Sequence, residues 1–294
     1  MTSTTSPLDV RNPVVAHTRV ELAAALEEVR SKGGRVGLVP TMGALHAGHR
    51  SLIQVARELT DAVVVSIFVN PLQFGPNEDL GRYPRAFEAD LTLCSDEGVD
   101  VVFAPGAGEV YPGGEPHVMI DPGPLARILE GGSRPTHFRG VLTVVAKLFG
   151  LVGPDLAVFG QKDYQQLVLI RRMAEDLCMG VEIVGAETAR EAGGLALSSR
   201  NQYLDEEQQM LAATLSRALR AGADAGRNGS ERALAAAHDV LRDAERGGVI
   251  ALDYLELTSP TLGKAPESGE ARLLVAARVG TTRLIDNIAV VLRQ

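Results

Sequence analysis

The chain has 294 residues, a net charge of −8, 45% apolar and 22% charged residues, and no Trp. Such a chain is long enough to bury a substantial core, which here must be built from Leu, Val, Ile and Ala. The balance excludes a non-specific nucleic-acid binder, which needs surplus Lys and Arg to displace counterions, and no run approaches the ~20 apolar residues of a membrane helix.

In chain order, the opening MTSTTSPLDVRNP is polar and lacks the apolar centre of an export signal, so it reads as a frayed leader on a cytoplasmic protein. Thr18, followed three residues later by Glu21, makes a capping box. Leu22, Leu26 and Val29 then recur at helical spacing until Gly33-Gly34 stops the helix. RVGLVPT is a strand, and RSLIQVARELT a helix through Leu52, Ile53, Ala56 and Leu59. DAVVVSIFVN is a β-branched run, hence a buried strand with more apolar surface than one side of a sheet needs. RAFEADLTLCSDEG, HFRGVLTVVAKLFGLVG and YQQLVLIRRMAEDLCMG are helices, alternating with the strands VDVVFAP, LAVFG and VEIVGAET, while Pro105 to Pro124 is loop. Cys94 and Cys178 have no metal-ligand spacing and fall in helix-like stretches, so both are expected to be buried reduced thiols.

Apolar strands separated by amphipathic helices predict a doubly wound α/β fold with a parallel sheet. Near Thr188 the pattern changes to two Ala-rich helices, opened by Asp205 and Ser230, and then the strand-like runs ALDYLELT, ARLLVAARV and LIDNIAVVL. The division is a first domain over 1–188 and a smaller C-terminal α+β domain over 189–294, able to act as a lid.

Three stretches carry chemistry. TMGALHAGH leaves the carboxyl end of a strand and enters a helix, where open parallel sheets bind ligands. Backbone amides at a helix start attract phosphate, Gly43 and Gly48 permit close approach of a ligand, and His46 and His49 add donors. A single histidine would read as a cap or a solvated side chain; two bracketing a glycine point to an anion site. In FGQKD, Gly160 lets a base or ribose lie against backbone, Asp163 accepts from ribose hydroxyls or caps the next helix, and Lys162 offers positive charge to phosphate. In ALSSRN, the hydroxyls of Ser198 and Ser199 and the guanidinium of Arg200 form an anion clamp at the junction of the two domains.

HAGH is similar to the H-x-G-H signature of the nucleotidyltransferase superfamily that includes class I aminoacyl-tRNA synthetases. The longer string VPTMGALHAGHRSL resembles the pantothenate synthetase (pantoate–β-alanine ligase) family. So do SIFVNPLQFGPNEDLGRYPR, RPTHFRGVLTVVAKLF, FGQKDYQQLVLIRRM, GLALSSRNQYL and ARLLVAARVGTTRLIDNI, in the same order, from about Val36 through nearly all the remaining chain. The resemblance implies a Rossmann-like nucleotidyltransferase fold, a homodimer, and Mg²⁺-ATP-dependent condensation of (R)-pantoate with β-alanine. The products are pantothenate, AMP and pyrophosphate, formed through a pantoyl adenylate.

By the same resemblance His46, His49, Lys162 and Arg200 are catalytic. Met42, Gly43, Gly160, Asp163, Ala189, Leu197, Ser198 and Ser199 join them around ATP. Family members often carry Met where this chain has Leu197, a volume-conserving exchange that keeps a backbone contact to adenine. Gln73, Gln166 and Asn70 fall on the pantoate and β-alanine sites. A neutral amide donates and accepts at once without locking the nucleophilic carboxylate in an ion pair; the residues alone would leave both glutamines merely solvating a loop or helix. Asp90 falls on a Mg²⁺ contact, although the second acid that some relatives place beside it is Ala89 here. Arg134 and His137 are either ligand contacts through a lid or loop-ordering groups. Three rivals remain on the residues alone: another small nucleotidyltransferase, a non-catalytic nucleotide sensor, and a tRNA-charging enzyme, the last disfavoured by the acidic balance.

Overall fold

A computed structural model describes residues 12–76, 78 and 80–293; the leader up to residue 11 lies outside the described residues. Six parallel strands form one sheet: β1 (Val14–Ala16), β2 (Val36–Thr41), β3 (Ala62–Ile67), β4 (Val101–Phe103), β5 (Leu156–Gly160) and β6 (Glu182–Ala186). Their order is β1-β4-β3-β2-β5-β6. The period of two sends Leu38, Val64, Ala157 and Phe159 to one face, packed with α1 (Arg19–Ser31), α6 (His137–Val152) and α7 (Tyr164–Asp176). It sends Val39, Val63, Val65, Leu156 and Val158 to the other, under α2 (Ala47–Leu59) and α3 (Phe87–Asp96). Burying one such Val, Leu or Ile contributes about 1.5–3 kcal/mol. Because both faces are covered, the strands read as unbroken apolar runs. The apolar surplus of VVVSIFVN is used inside the molecule, so it gives no argument for a partner.

The sheet reverses direction between β2 and β5. From β2 the chain moves outward to β3 and β4; it then returns to the other flank of β2 for β5 and β6. Continuing the register Leu38↔Ala157 by three residues brings Thr41 and Gly160, the last residues of β2 and β5, to one height. The segments carrying His46 and Lys162 therefore leave the sheet side by side, at the crevice where such sheets bind ligands.

Between β4 and α6 the chain is mostly loop, with short helices α4 (Ala107–Val110) and α5 (Leu129–Ser133). The C-terminal unit is an antiparallel meander of β7 (Ile250–Thr258), β8 (Gly269–Val279) and β9 (Thr282–Leu292), covered by α8 (Glu206–Ala225) and α9 (Ser230–Arg246). Its core includes Leu195, Leu215, Leu219, Leu241 and Leu273. The capping boxes form as their residues dictate: Thr18 with Glu21 opens α1, and Asp205 with Gln208 opens α8.

Two details differ from expectation. Val14–Ala16 is an edge strand on β4, too short, at three residues, to carry a period-two signal. Cys178 is exposed, at φ 50° in the turn beyond α7; only Cys94 is a buried thiol.

Candidate active site

The turn after β2 is built by its own side chains. Gly43 has φ +86°, a conformation that glycine adopts without the strain of a Cβ. Behind it, Asp90 on α3 is 2% exposed and turns both oxygens onto the backbone: Ala44 N donates to Oδ2 at 3.0 Å and Leu45 N to Oδ1 at 2.6 Å. His46 is the N-cap of α2, and its Nδ1 accepts from Gly48 N at 3.1 Å. His49 completes a capping box, its Nδ1 accepting from His46 N at 3.2 Å. The two rings lie 4.2 Å apart.

This geometry fixes the tautomers. Each Nδ1 accepts, so each neutral ring carries its proton on Nε2, the edge away from the helix backbone. Burial, and then the nearby Lys162 ammonium, lower the His46 pKa. Burial, His46 and Lys162 push His49 down to about 3. At neutral pH the pair presents two neutral N–H donors, not two imidazolium ions. Capping uses Nδ1 of each ring and leaves the Nε2 edge to the anion-binding expectation.

The turn after β5 is made differently. Asp163 stands at the N-cap of α7, but its side chain makes no cap hydrogen bond; it pairs with Lys162 Nζ at 3.8 Å. Burial works to raise the Asp163 carboxyl, yet Lys162 and then Arg200 outweigh it and hold the group below its usual range. Facing this turn, the segment 189–197 folds back on itself: Leu197 N donates to Ala189 O at 2.9 Å, and Arg190 bridges Ala196. Ser198 then caps a 3₁₀ turn over Ser199–Tyr203 by accepting from Arg200 N at 3.2 Å. Ser199 Oγ lies 3.5 Å from Tyr83 Oη.

These three segments enclose one cavity of about 230 Å³, lined by His46, His49, Gly160, Lys162, Asp163 and Ser198–Arg200. Met42, Asn70, Gln73, Gln166, Ala189 and Leu197 line it as well. It opens into a second hollow of about 590 Å³ toward the C-terminal unit; Lys162, Asp163, Gln166, Ser198 and Arg200 border both. Deep in the first hollow, Gln73 is held by Asn70, whose Nδ2 donates to Gln73 Oε1 at 3.1 Å and to Gly140 O at 3.2 Å. Asn70 Oδ1 accepts from Tyr111 Oη at 2.8 Å. Gly140 is obligatory in this contact, because a Cβ there would collide with the Leu72 carbonyl. Gln73 Nε2 lies 2.9 Å from Met42 Sδ, a weak acceptor that leaves donor capacity for a ligand.

Of the expected residues, Gly43 and Asp90 do not line the cavity. Gly43 shapes the turn from behind, and Gly48 takes its expected place at the wall. For Asp90, expected as a Mg²⁺ contact, the partners in the fold are backbone amides. Its carboxylate is occupied by two amides, and burial raises its pKa despite them. Among the described residues no cluster of three or more His, Cys, Asp or Glu can hold a metal, so the residues present do not form a protein cage for the ion. Arg134 pairs with Glu78, and the side chains of Arg134 and His137 both meet the Gln73 carbonyl, which orders the loop, while both residues also line the two hollows.

Two groups escape sequence reading. Thr188 lines the cavity with a buried Oγ1 that has no hydrogen-bond partner, and Tyr83 meets Ser199 across it. An orphaned buried hydroxyl is uncommon in a folded chain, and no pattern around Thr188 signals it beforehand.

The profile of the family described as Pantoate-beta-alanine ligase matches residues 14–289. The chain is 62% identical to a pantothenate synthetase of Nocardioides sp. (strain ATCC BAA-499 / JS614), covering 95% of this chain and 86% of that protein. It is 56% identical to a pantothenate synthetase of Mycolicibacterium smegmatis over 92% of this chain and 85% of the relative. The crystal structure of pantothenate synthetase from Thermus thermophilus superposes with a TM-score of 0.87 at 48% identity, covering 94% of this chain and 98% of the other. That of pantoate-beta-alanine ligase from Francisella tularensis, complexed with beta-gamma ATP and beta-alanine, superposes at 0.78 with 35% identity, covering 94% and 97%.

Proposed function

The chain belongs to the pantoate-beta-alanine ligase family, and from that premise we propose how its site joins the substrates. The reaction is the ATP-dependent condensation of pantoate with β-alanine. Its route here is a two-step one. A carboxylate oxygen of (R)-pantoate attacks the α-phosphorus of ATP, the bond to the β-phosphate breaks, and pyrophosphate leaves with that electron pair. A carboxylate is ionised at neutral pH, so no general base is needed. The nitrogen of β-alanine, as the free amine, then attacks the acyl carbon of pantoyl adenylate; AMP leaves and the surplus proton passes to solvent, giving pantothenate.

The obstacle in the first step is bringing an anion to a polyanion. His46 and His49 supply fixed Nε2–H donors, and Lys162 and Arg200 supply charge, aimed where negative charge accumulates. Met42, Gly160, Asp163, Ala189, Leu197, Ser198 and Ser199 hold the nucleoside and phosphates. Gln73 and Gln166 orient pantoate, with Asn70 holding Gln73, so that the nucleophile is placed rather than activated. Through its Nε2–H, His49 donates a hydrogen bond to the departing phosphate. Mg²⁺ accompanies ATP as the counter-ion of its phosphates, and no protein ligand is assigned to it.

The observation that carries this reading is the convergence of the turns after β2 and β5 and the Ser198–Arg200 segment on one cavity. Residues 1–188 serve as the substrate-binding body and 189–294 as the covering unit that excludes water from the adenylate. No helix among the described residues is long and apolar enough to cross a membrane; we place the enzyme in the cytoplasm, as a homodimer by family resemblance. The test is to mix enzyme, Mg²⁺-ATP and pantoate and to follow pyrophosphate. One equivalent per site is expected before β-alanine is added, with AMP appearing only afterwards. Pyrophosphate that waits for β-alanine would sink the two-step route.

A further inference from the structure

We propose that Asp286 and Asn287, adjacent on β9, are a positioning pair that holds the Lys162 turn and the Ser198–Arg200 segment in register for the adenylation step; this rests on the two-step route above. Asn287 is 3% exposed and its side-chain amide is engaged at both ends. Nδ2 donates to the carbonyls of Gln161 and Lys162, each at 2.9 Å. Oδ1 accepts from Arg272 Nε at 2.7 Å. Arg272 reaches the same turn, donating to Gln161 Oε1 at 3.1 Å and lying over the Tyr164 ring, 4.1 Å from its centroid. Lys162 thus projects from a turn whose two successive carbonyls are pinned by one amide of the C-terminal unit.

Asp286 serves the opposite segment. It is 4% exposed, and its two oxygens accept from Arg190 Nη1 and Nη2 at 2.6 and 2.9 Å. Such a forked, charge-assisted pair fixes direction as well as distance. Arg190 also donates to Gly194 O at 3.1 Å, closing the hairpin that ends in Ser198–Arg200. Successive side chains leave opposite faces of a strand, so one dipeptide can reach both segments. The distance between the two cation-bearing segments is therefore set by a part of the chain that does not line the 230 Å³ cavity.

A triphosphate meets both cations only while pyrophosphate departs; in the second step the leaving group is AMP. Misalignment should therefore weigh on the first step. The experiment compares two single-turnover rates in the full-length enzyme: pyrophosphate release from Mg²⁺-ATP and pantoate, and pantothenate formation from supplied pantoyl adenylate and β-alanine. For Asn287→Ala the first rate should fall about 30- to 100-fold, the scale of a misplacement near 1 Å. The second should change less than about threefold, with KM for pantoate within about twofold. Equal losses in both steps, as a shortage of folded enzyme produces, would overturn the proposal, as would an unchanged first rate. If Asn287→Ala does not fold, the isosteric Asp286→Asn decides on the same two rates, with a selective loss of about tenfold expected and an equal or absent loss overturning it. A wild-type enzyme that releases no pyrophosphate without β-alanine marks failure of the route and takes the proposal with it. An active wild type beside a variant that loses both steps equally marks failure of the pair alone.

Discussion

The two turns at the crevice face each other and are stabilised in opposite ways. The turn after β2 is closed by residues close in sequence, His46 and His49 capping their own helix, with Asp90 of the neighbouring α3 fastening the amides at 44 and 45. The turn after β5 has no side-chain cap on its helix and is fastened by Asn287 and Arg272, more than a hundred residues later. The lesson is a division of labour. The donors whose tautomer matters are set locally, where few degrees of freedom intervene. The charges whose separation matters are set by the second unit.

The sharpest way to break the local half is His49→Ala. It removes an Nε2–H donor and one arm of the capping box. Adenylation, read as ATP–pyrophosphate exchange, should fall about 10²- to 10³-fold, while unfolding free energy drops by only about 1 kcal/mol. Near-normal exchange would mean that the pair is a helix cap and nothing more. Asp90→Asn should act more mildly. It replaces one acceptor of the 44–45 amides by a donor, costing about 1–3 kcal/mol of stability, and the loosened turn should lower the rate about tenfold. If Asp90 serves only the turn, the Mg²⁺ concentration giving half-maximal rate stays unchanged; a large shift in it would add a metal contact to that role.

The pH dependence of stability sharpens the comparison by reading the desolvated histidines directly. Burial holds His49 at about 3 and His137 at about 4, against an ordinary 6.5. Below pH 6.5 the unfolded chain takes up protons that the folded one refuses. Stability of the ligand-free enzyme is therefore full above that pH and falls as pH drops toward 4, by up to about 1.4 kcal/mol per unit for each imidazole. Urea midpoints from pH 7 to 4.5 should show this slope, and His49→Asn should remove one imidazole's share. An unaltered slope would mean that His49 titrates normally in the fold.

The same contrast explains what could be read from the amino-acid sequence. Strand and helix succession is legible because both faces of the sheet are covered, leaving runs such as VVVSI, and because Thr18 and Asp205 announce helix starts within four residues. HAGH is legible for the same reason: its partners are inside the motif. The part Asp90 plays in the turn is hidden in the sequence, because its bonds are to amides that only folding brings near. Thr188 and Asn287 are silent, since a hydroxyl without a partner and an amide with three exist only in three dimensions. Cys178 sits one residue past the point where helical periodicity still holds but the helix has ended.

The adjacency of β2 and β5 has one more consequence. Strands in a ladder stand about 4.8 Å apart, a spacing imposed by peptide geometry and indifferent to which side chains they carry. The gauge between the imidazoles and the Lys162 turn is thus machined into the backbone. The 3₁₀ turn that carries Gln73 lies beyond β3, outside this pair of strands, and is not bound by that spacing. A change of acid partner can be explored there without recalibrating the part of the enzyme that handles phosphorus.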